Sequence, residues 1–308
     1  MKETVIRSLE ANGVTTVFRI PGTHNLAIYD VLLDSGIRHI TARHEQGAAF
    51  MADGYARASG KVGVCLCTSG PAILNAATSL GTAYCDSSPV LCIASQIPSD
   101  GISKEKGYIH KCRDQLACLR PVTAWCDRAD TVQSVPDVLH EAFTRMRNGR
   151  PRPVAVEVPC DILDADAEVA IPTAAYGDPL CPPPKQIERA FDLLVNARRP
   201  LIWAGGGVIL SGASDELKQL AEHLQAPVCT TVQAKGALSA DHPLSVGASV
   251  VHPAADEFLR QCDAGSRHAV YTGRHEQPDA AVPQVPHSHR RRCGRTWSQF
   301  PAGSRGTG

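Results

Sequence analysis

The chain has 308 residues, enough for two domains with cores of their own. Its 31 basic and 31 acidic side chains cancel, and 43% hydrophobic with 20% charged content is that of an ordinary globular protein, so neither a membrane nor a nucleic-acid partner is expected. No apolar run reaches the length of a membrane span, and the start, MKETVIRSLEANGV, is spaced as an amphipathic helix without the core of a secretion signal.

In chain order, helix and strand signals alternate over the first 160 residues, which predicts an α/β fold: a doubly wound parallel sheet with crossover helices. Helices are predicted at 3–12, 26–34, 45–59, 72–84 and 135–147. Strands are predicted at 15–19, 37–41, 62–67, 90–95, 122–125 and 154–158. Gly13, Gly36 and Gly60 fall just past three of the helices, where a left-handed residue is wanted. The first domain is taken as 1–170.

A proline-rich stretch over 171–185, with Pro172, Pro179, Pro182, Pro183 and Pro184, reads as an extended linker. A helix at 186–196, a strand at 201–204, a glycine turn at 205–207, a helix at 214–224 and a strand at 227–231 then begin a second α/β domain. That domain, 186–263, is expected to be incomplete, because about two βα units are too few for a covered parallel sheet. Residues 265–308 hold seven Arg, no Lys and two acids, so that segment carries +5 and the rest of the chain −5. No Leu or Ile follows Leu259. Such a segment, 264–308, buries too little apolar area to offset its ordering entropy and is expected to be a low-order basic tail.

The twelve cysteines have no regular spacing, and Cys65, Cys67, Cys85 and Cys92 sit inside apolar patterns. They read as reduced, buried thiols of a cytoplasmic protein, and Cys65-x-Cys67 is neither a metal nor a redox spacing.

The most informative stretch is 43–57, RHEQGAAFMADGYAR. It puts one carboxylate, Glu45, at the first turn of a small-residue helix directly after an apolar strand. Burying an acid there is costly. Alone, it reads as a helix-start carboxylate satisfying free backbone N–H groups. The stretch resembles the glutamate motif of the thiamine-diphosphate enzymes of the acetolactate synthase and 2-oxo acid decarboxylase family. The resemblance continues through VFRIPGTHNLAIYDVL at 17–32, GKVGVCLCTSGPAILNAATSLGTAYCDSSPVLCIASQIP at 60–98 and GRPRPVAVEVPCDIL at 149–163. More weakly, PLIWAGGGV at 200–208 and APVCTTVQAKGALSADHPLSVG at 226–247 resemble that family's central domain. Several segments in the right order, covering 1 to about 263, make the resemblance specific.

The resemblance implies that Glu45 hydrogen-bonds the aminopyrimidine N1′ and favours the tautomer that takes the thiazolium C2 proton. A partly buried carboxyl is required, so that water does not compete. It further implies cofactor contacts at Pro21, Gly22, Thr68, Ser69, Gly70 and Asn75. Gln96, at the end of a parallel strand where ligand crevices form, matches a catalytic glutamine facing the site. His24, Asn25, His110 and Gln115 match substrate-side positions. Read without the resemblance, 68–71 (TSGP) is equally a helix start with Pro71 at its first position, and Asn25 or Thr23 can cap the helix that follows. Ala72 departs from the family's pattern, which usually has a second glycine there.

Gly205-Gly206-Gly207 lacks the G-x-G-x-x-G spacing and reads as a turn; FAD binding there is kept in some members of the family and lost in others, and is not expected here. In the tail, Arg274-His275-Glu276-Gln277 repeats four letters of the motif without its helix. His287, His289 and Cys293 as zinc ligands, or Arg290-Arg291-Arg292 on nucleic acid, have no folded context and are assigned no role.

The family's third domain carries a Gly-Asp-Gly motif that binds Mg2+ and, through it, the diphosphate, because a doubly negative group wants a hard cation on oxygen ligands. That motif is absent from this sequence. The expectation is therefore a truncated 2-oxo acid decarboxylase or acetolactate synthase-like enzyme, cytoplasmic, at least dimeric by resemblance, with thiamine diphosphate and Mg2+ as cofactors. The loss of Leu, Ile and Lys in the tail suggests a change of reading frame, which sequencing the gene checks. Two other readings stand beside it: a non-catalytic truncated product, and one subunit of a split enzyme whose diphosphate domain lies on a partner chain.

Overall fold

The computed structural model describes residues 1–173 and 181–248. The chain divides into two compact units, Met1–Leu180 and Cys181–Gly308.

The first unit alternates α1 (Lys2–Ala11), β1 (Thr16–Arg19), α2 (Leu26–Leu32), β2 (Arg38–Thr41), α3 (Glu45–Ser59), β3 (Gly63–Cys67), α4 (Pro71–Asp86) and β4 (Val90–Gln96). It continues through α5 (Gln115–Leu119), β5 (Trp125–Arg128), α6 (Ser134–Arg147), β6 (Val154–Pro159) and α7 (Cys160–Asp164). All six strands pair in parallel in the order β2-β1-β3-β4-β6-β5. This is the expected doubly wound sheet.

Period-two alternation explains how the sheet is covered on both faces. On one face, Leu66, Leu91, Ile93 and Val156 meet Val5 and Leu9 of α1, Ile28 of α2 and Phe143 of α6. On the other, Cys65, Cys67, Cys92 and Ala94 meet Ala48, Ala49 and Ala52 of α3 and Ala76 and Leu80 of α4. The alanines let α3 lie close: a Cβ on Gly63 would stand 2.0 Å from the Ala52 carbonyl oxygen. Each fully buried Leu, Ile or Phe contributes about 1.5–3 kcal/mol, so both faces matter to stability.

Three details differ from the sequence reading. The fifth strand lies at Trp125–Arg128, three residues later than predicted, because 120–122 forms a 3-10 turn. Thr123 Oγ1 donates to Leu119 O there, Val122 turns under Gly81 of α4, and the ladder begins only where Ala124 N–H reaches Pro153 O. Gly36 is not left-handed: Ser35 closes α2, donating to Leu32 O while accepting from Ile37 N–H. The short helices α5 and α7 were not anticipated.

The second unit contains α8 (Pro184–Val195), β7 (Ile202–Ala204), α9 (Gly207–Leu210), α10 (Ser214–Leu224), β8 (Val228–Thr230) and β9 (Ser245–Gly247). Its three strands are parallel in the order β7-β8-β9, around Ile202, Val208, Leu217, Ala221 and Val228. The glycine turn runs directly into α9, and β9 adds a strand that the sequence reading lacked. Residues 174–180 of the expected linker, 249–263 of the expected second domain and the tail at 264–308, with its His, Cys and Arg patterns, lie outside the described residues. Among the described residues no helix is long and apolar enough to cross a membrane.

Candidate functional site

The sequence-predicted residues of the first unit converge on one edge of its sheet, beyond the carboxyl ends of the strands. Strand order reverses between β1 and β3, and ligands of open parallel sheets bind at such a switch point. Residues 20–25 follow β1, Glu45 follows β2, 68–70 follow β3, and Gln96 closes β4.

Glu45 opens α3, but it does not cap it. His44, extended at φ −156 and ψ 142, accepts the Gln46 N–H on Nδ1 at 3.2 Å and takes the capping role. The half-buried Glu45 carboxyl is held instead from the next helix, with Asn75 Nδ2 donating to Oε2 at 3.0 Å. Among the described residues nothing donates to Oε1. Ser79 Oγ, donating to Gln46 O at 2.7 Å, ties α4 to the same turn.

Two loops meet across the switch point. Gly22 lies so close to Thr68 that a Cβ there would stand 2.5 Å from the threonine Cβ. His24 and Ser69, both buried, share a hydrogen bond of 2.7 Å between Nδ1 and Oγ. Burial, and then the neighbouring His110, push the His24 pKa below the usual histidine value. Asn25 is 1% exposed and braces the loop: its Oδ1 accepts from Gly22 N–H at 2.8 Å, and its Nδ2 lies 3.4 Å from both Ile20 O and the Tyr29 hydroxyl. It makes no side-chain cap to α2. Pro21 is exposed on the loop. Thr68 Oγ1 reaches Ser95 Oγ at 3.3 Å.

Gly70 adopts φ 58 and ψ −114, and a Cβ on it would stand 2.0 Å from the His110 carbonyl oxygen. His110 itself has φ 59; its ring is edge-on to His24 at 6.3 Å, and among the described residues its buried Nδ1 has no hydrogen-bond partner. Gln115 is set in a helix and turned inward. It begins α5, is 1% exposed, and accepts the Gly70 N–H on Oε1 at 2.8 Å. Its Nε2 donates to Glu157 Oε2 at 2.9 Å and to Ser95 O at 3.3 Å. Gln96 stands at the strand end as expected, yet its amide is engaged inward: Nε2 donates to Glu157 Oε2 at 3.2 Å, and Oε1 accepts from Ile97 N–H at 2.9 Å.

Glu157 and Arg128 were missed by the sequence reading. Glu157, 1% exposed on β6, accepts from Arg128 Nη1 at 2.9 Å on Oε1. Burial raises its pKa, while Arg128 first and the two glutamines next oppose the rise. The available signal was an acid in the middle of VAVEVP, a run otherwise apolar enough for a strand buried on both faces.

One group of potential metal ligands occurs among the described residues: Cys65, Cys67 and Cys92, whose sulfurs lie within 4.8 Å of one another. The fold thus makes a cluster that the Cys65-x-Cys67 spacing did not suggest. Register places Cys65 opposite Cys92, and all three are buried among the alanines of α3 and α4. Among the described residues no fourth ligand joins them, and all three side chains pack as buried members of the apolar layer under α3 and α4.

Residues 1–118 match the family model for the thiamine pyrophosphate enzyme N-terminal TPP binding domain, and 187–265 match that for the central domain. The chain belongs to the thiamine pyrophosphate-dependent enzymes, of the acetolactate synthase and 2-oxo acid decarboxylase type. It is 40% identical over 270 residues to a probable acetolactate synthase large subunit of Methanocaldococcus jannaschii, covering 85% of this chain and 45% of that protein. A probable 2-ketoarginine decarboxylase, AruI, of Pseudomonas aeruginosa is 41% identical over 263 residues, covering 85% and 47%. The Escherichia coli acetolactate synthase isozyme 2 large subunit is 35% identical over 262 residues, covering 84% and 47%. The chain spans about half the length of these relatives.

Proposed function

We propose that the first unit holds the aminopyrimidine end of thiamine diphosphate through Glu45, within an enzyme that acts on 2-oxo acids. The observation that carries this reading is the half-buried Glu45 carboxylate, oriented by Asn75 through one oxygen with the other left to accept a proton from a ligand. The residues fit the group. An acceptor oxygen without a partner among the described residues stands at the carboxyl edge of a parallel sheet, beside turns whose Gly22 and Gly70 pack closely on Thr68 and on the His110 main chain.

When bound, thiamine diphosphate supplies a carbanion that adds to a 2-oxo carbonyl and a ring that accepts the electrons left by decarboxylation. Glu45 Oε1 would hold the proton shared with the pyrimidine nitrogen, with Asn75 fixing the direction of the carboxylate. The turns at Pro21–Gly22 and Thr68–Gly70 would frame the cofactor. His24, kept neutral by burial and fixed on Ser69, and His110, with its unpartnered Nδ1, are the substrate-side hydrogen-bonding groups. Asn25, Gln96 and Gln115 act through the loops that they brace. The names of the relatives span decarboxylation and acetolactate synthesis, so the reaction proposed is 2-oxo acid decarboxylation, with or without transfer of the acyl unit to a second oxo acid. The Mg2+ that would hold the diphosphate requires oxygen ligands, which the cysteine group does not provide. We place that half of the binding site on a further segment or on a partner polypeptide, in an oligomer.

The test is thiamine diphosphate/Mg2+ binding and pyruvate decarboxylation, measured for this chain alone and then with a polypeptide carrying the Gly-Asp-Gly motif. Binding and turnover that appear only in the mixture support the reading. Failure of the mixture to bind the cofactor rejects it.

A further inference from the structure

We propose that Glu157 is a positioning residue: it fixes the amide orientation of Gln96 and Gln115 and, through Gln115, the Gly70 turn on which the His110 main chain packs. A carboxylate only accepts hydrogen bonds, whereas the two ends of a glutamine amide are alike in shape and opposite in role. Glu157 Oε2 receives both Nε2 groups, at 3.2 Å from Gln96 and 2.9 Å from Gln115. The two Oε1 atoms must then point away, and each meets a backbone donor: Ile97 N–H at 2.9 Å and Gly70 N–H at 2.8 Å. Arg128 Nη1, at 2.9 Å on Oε1, fills the remaining side of the carboxylate. One buried acid thus decides which way two buried amides face.

Turning Gln115 over would set its NH2 against the Gly70 N–H and its oxygen against the carboxylate. Both are repulsive, and a buried N–H would lose its partner. Gly70 has little freedom to compensate, because its φ of 58 is held while its α-carbon faces the His110 carbonyl. The chain of contacts therefore runs from Glu157 on β6, through α5, to the turn after β3. Its functional consequence, though not its geometry, rests on placing that turn at the cofactor.

Hydrogen exchange of the full chain, read on peptides containing Gly70, tests the proposal. Loss of one net hydrogen bond corresponds to about a tenfold faster exchange. Glu157→Gln should produce that change at Gly70 while peptides of α1 and α6 stay at the parent rate. Gln115→Glu alone, which sets two carboxylates face to face, should do the same. The double variant Gln115→Glu/Glu157→Gln puts an acceptor back against Gly70 N–H and a donor between the two side chains, and should recover most of the protection. Where Glu157→Gln does not fold, Gln115→Met carries the comparison, with the same local increase expected. Unchanged exchange at Gly70, an equal rise in every peptide, or no recovery in the double variant would overturn the proposal. A local rise with unaltered thiamine diphosphate affinity leaves the positioning role standing and removes Gly70 from the cofactor site.

Discussion

Asn75 donates to Glu45 across 3.0 Å from the first turns of the neighbouring helix, so the direction of the carboxylate is set by a residue thirty positions away. Replacing Asn75 by Ala should leave the melting temperature almost unchanged, because the contact is exposed. It should weaken thiamine diphosphate binding by about tenfold in the complex with a diphosphate-binding polypeptide, the equivalent of one hydrogen bond to a charged group. Asn75→Asp should bind more weakly still, through like-charge repulsion. Titration calorimetry beside a melt separates the outcomes: a lower melting temperature with unaltered affinity would mark Asn75 as a packing residue only.

Glu45→Gln keeps the shape and removes the proton acceptor. Since His44 rather than Glu45 caps α3, the variant should fold as well as the parent. Exchange of the C2 proton for deuterium in the assembled complex should slow by about a hundredfold or more, the usual range for loss of a positioned acid–base group. Proton NMR of quenched samples reads that rate directly, and an unaltered rate removes Glu45 from the activation step.

Glycines of one chain should differ sharply in their tolerance of a methyl group. At Gly70 a Cβ meets the His110 carbonyl oxygen at 2.0 Å with φ at 58, and Gly70→Ala should cost about 3 kcal/mol or more. At Gly54, inside α3, a Cβ meets nothing within 4 Å, and Gly54→Ala should stabilise by about 0.5–1 kcal/mol through helix propensity. Denaturant midpoints of the two variants check both signs.

What could be read from the sequence was local or periodic. Glu45 stood out because an acid follows an apolar strand at a helix start, and α3 runs over the predicted residues. The parallel sheet followed from alternating periods. The Glu157 network did not emerge, because its members are separated by 42 positions for Gln115 and 61 for Gln96, and no local pattern joins them. Arg128 was hidden for a second reason: with the fifth strand placed three residues early, it fell outside the sheet instead of opposite Glu157. The cysteine cluster was likewise a matter of register, since Cys92 joins Cys65 only through the pairing of β3 with β4.

Thiol accessibility follows the same packing. Cys85, expected from its apolar surroundings to be buried, is exposed in the last turn of α4, as are Cys118 and Cys181 in their own segments, whereas Cys65, Cys67 and Cys92 are buried. Brief alkylation of the native protein should label Cys85, Cys118 and Cys181, and Cys65, Cys67 and Cys92 should react only in denaturant. Peptide mass mapping reports each site. Fast native labelling of Cys65 or Cys92 would show that the α3–α4 cover opens readily.

The stability of the first unit should carry a pH dependence from His24. Its pKa in the folded state lies below the ordinary 6.5, first through burial and then through the nearby His110. Between that lowered value and 6.5 the unfolded chain binds more protons than the folded one. Stability is therefore level above 6.5, as far as this group is concerned, and falls as the pH drops through the window. His24→Asn removes the titration while keeping a polar partner for Ser69 Oγ. Urea midpoints measured at pH 8 and pH 5 should fall less in the variant than in the parent. His110→Asn, which withdraws the neighbouring imidazole, should move the His24 titration upward in the NMR spectrum. Equal acid sensitivity of the parent and the His24 variant would assign the pH dependence to other groups.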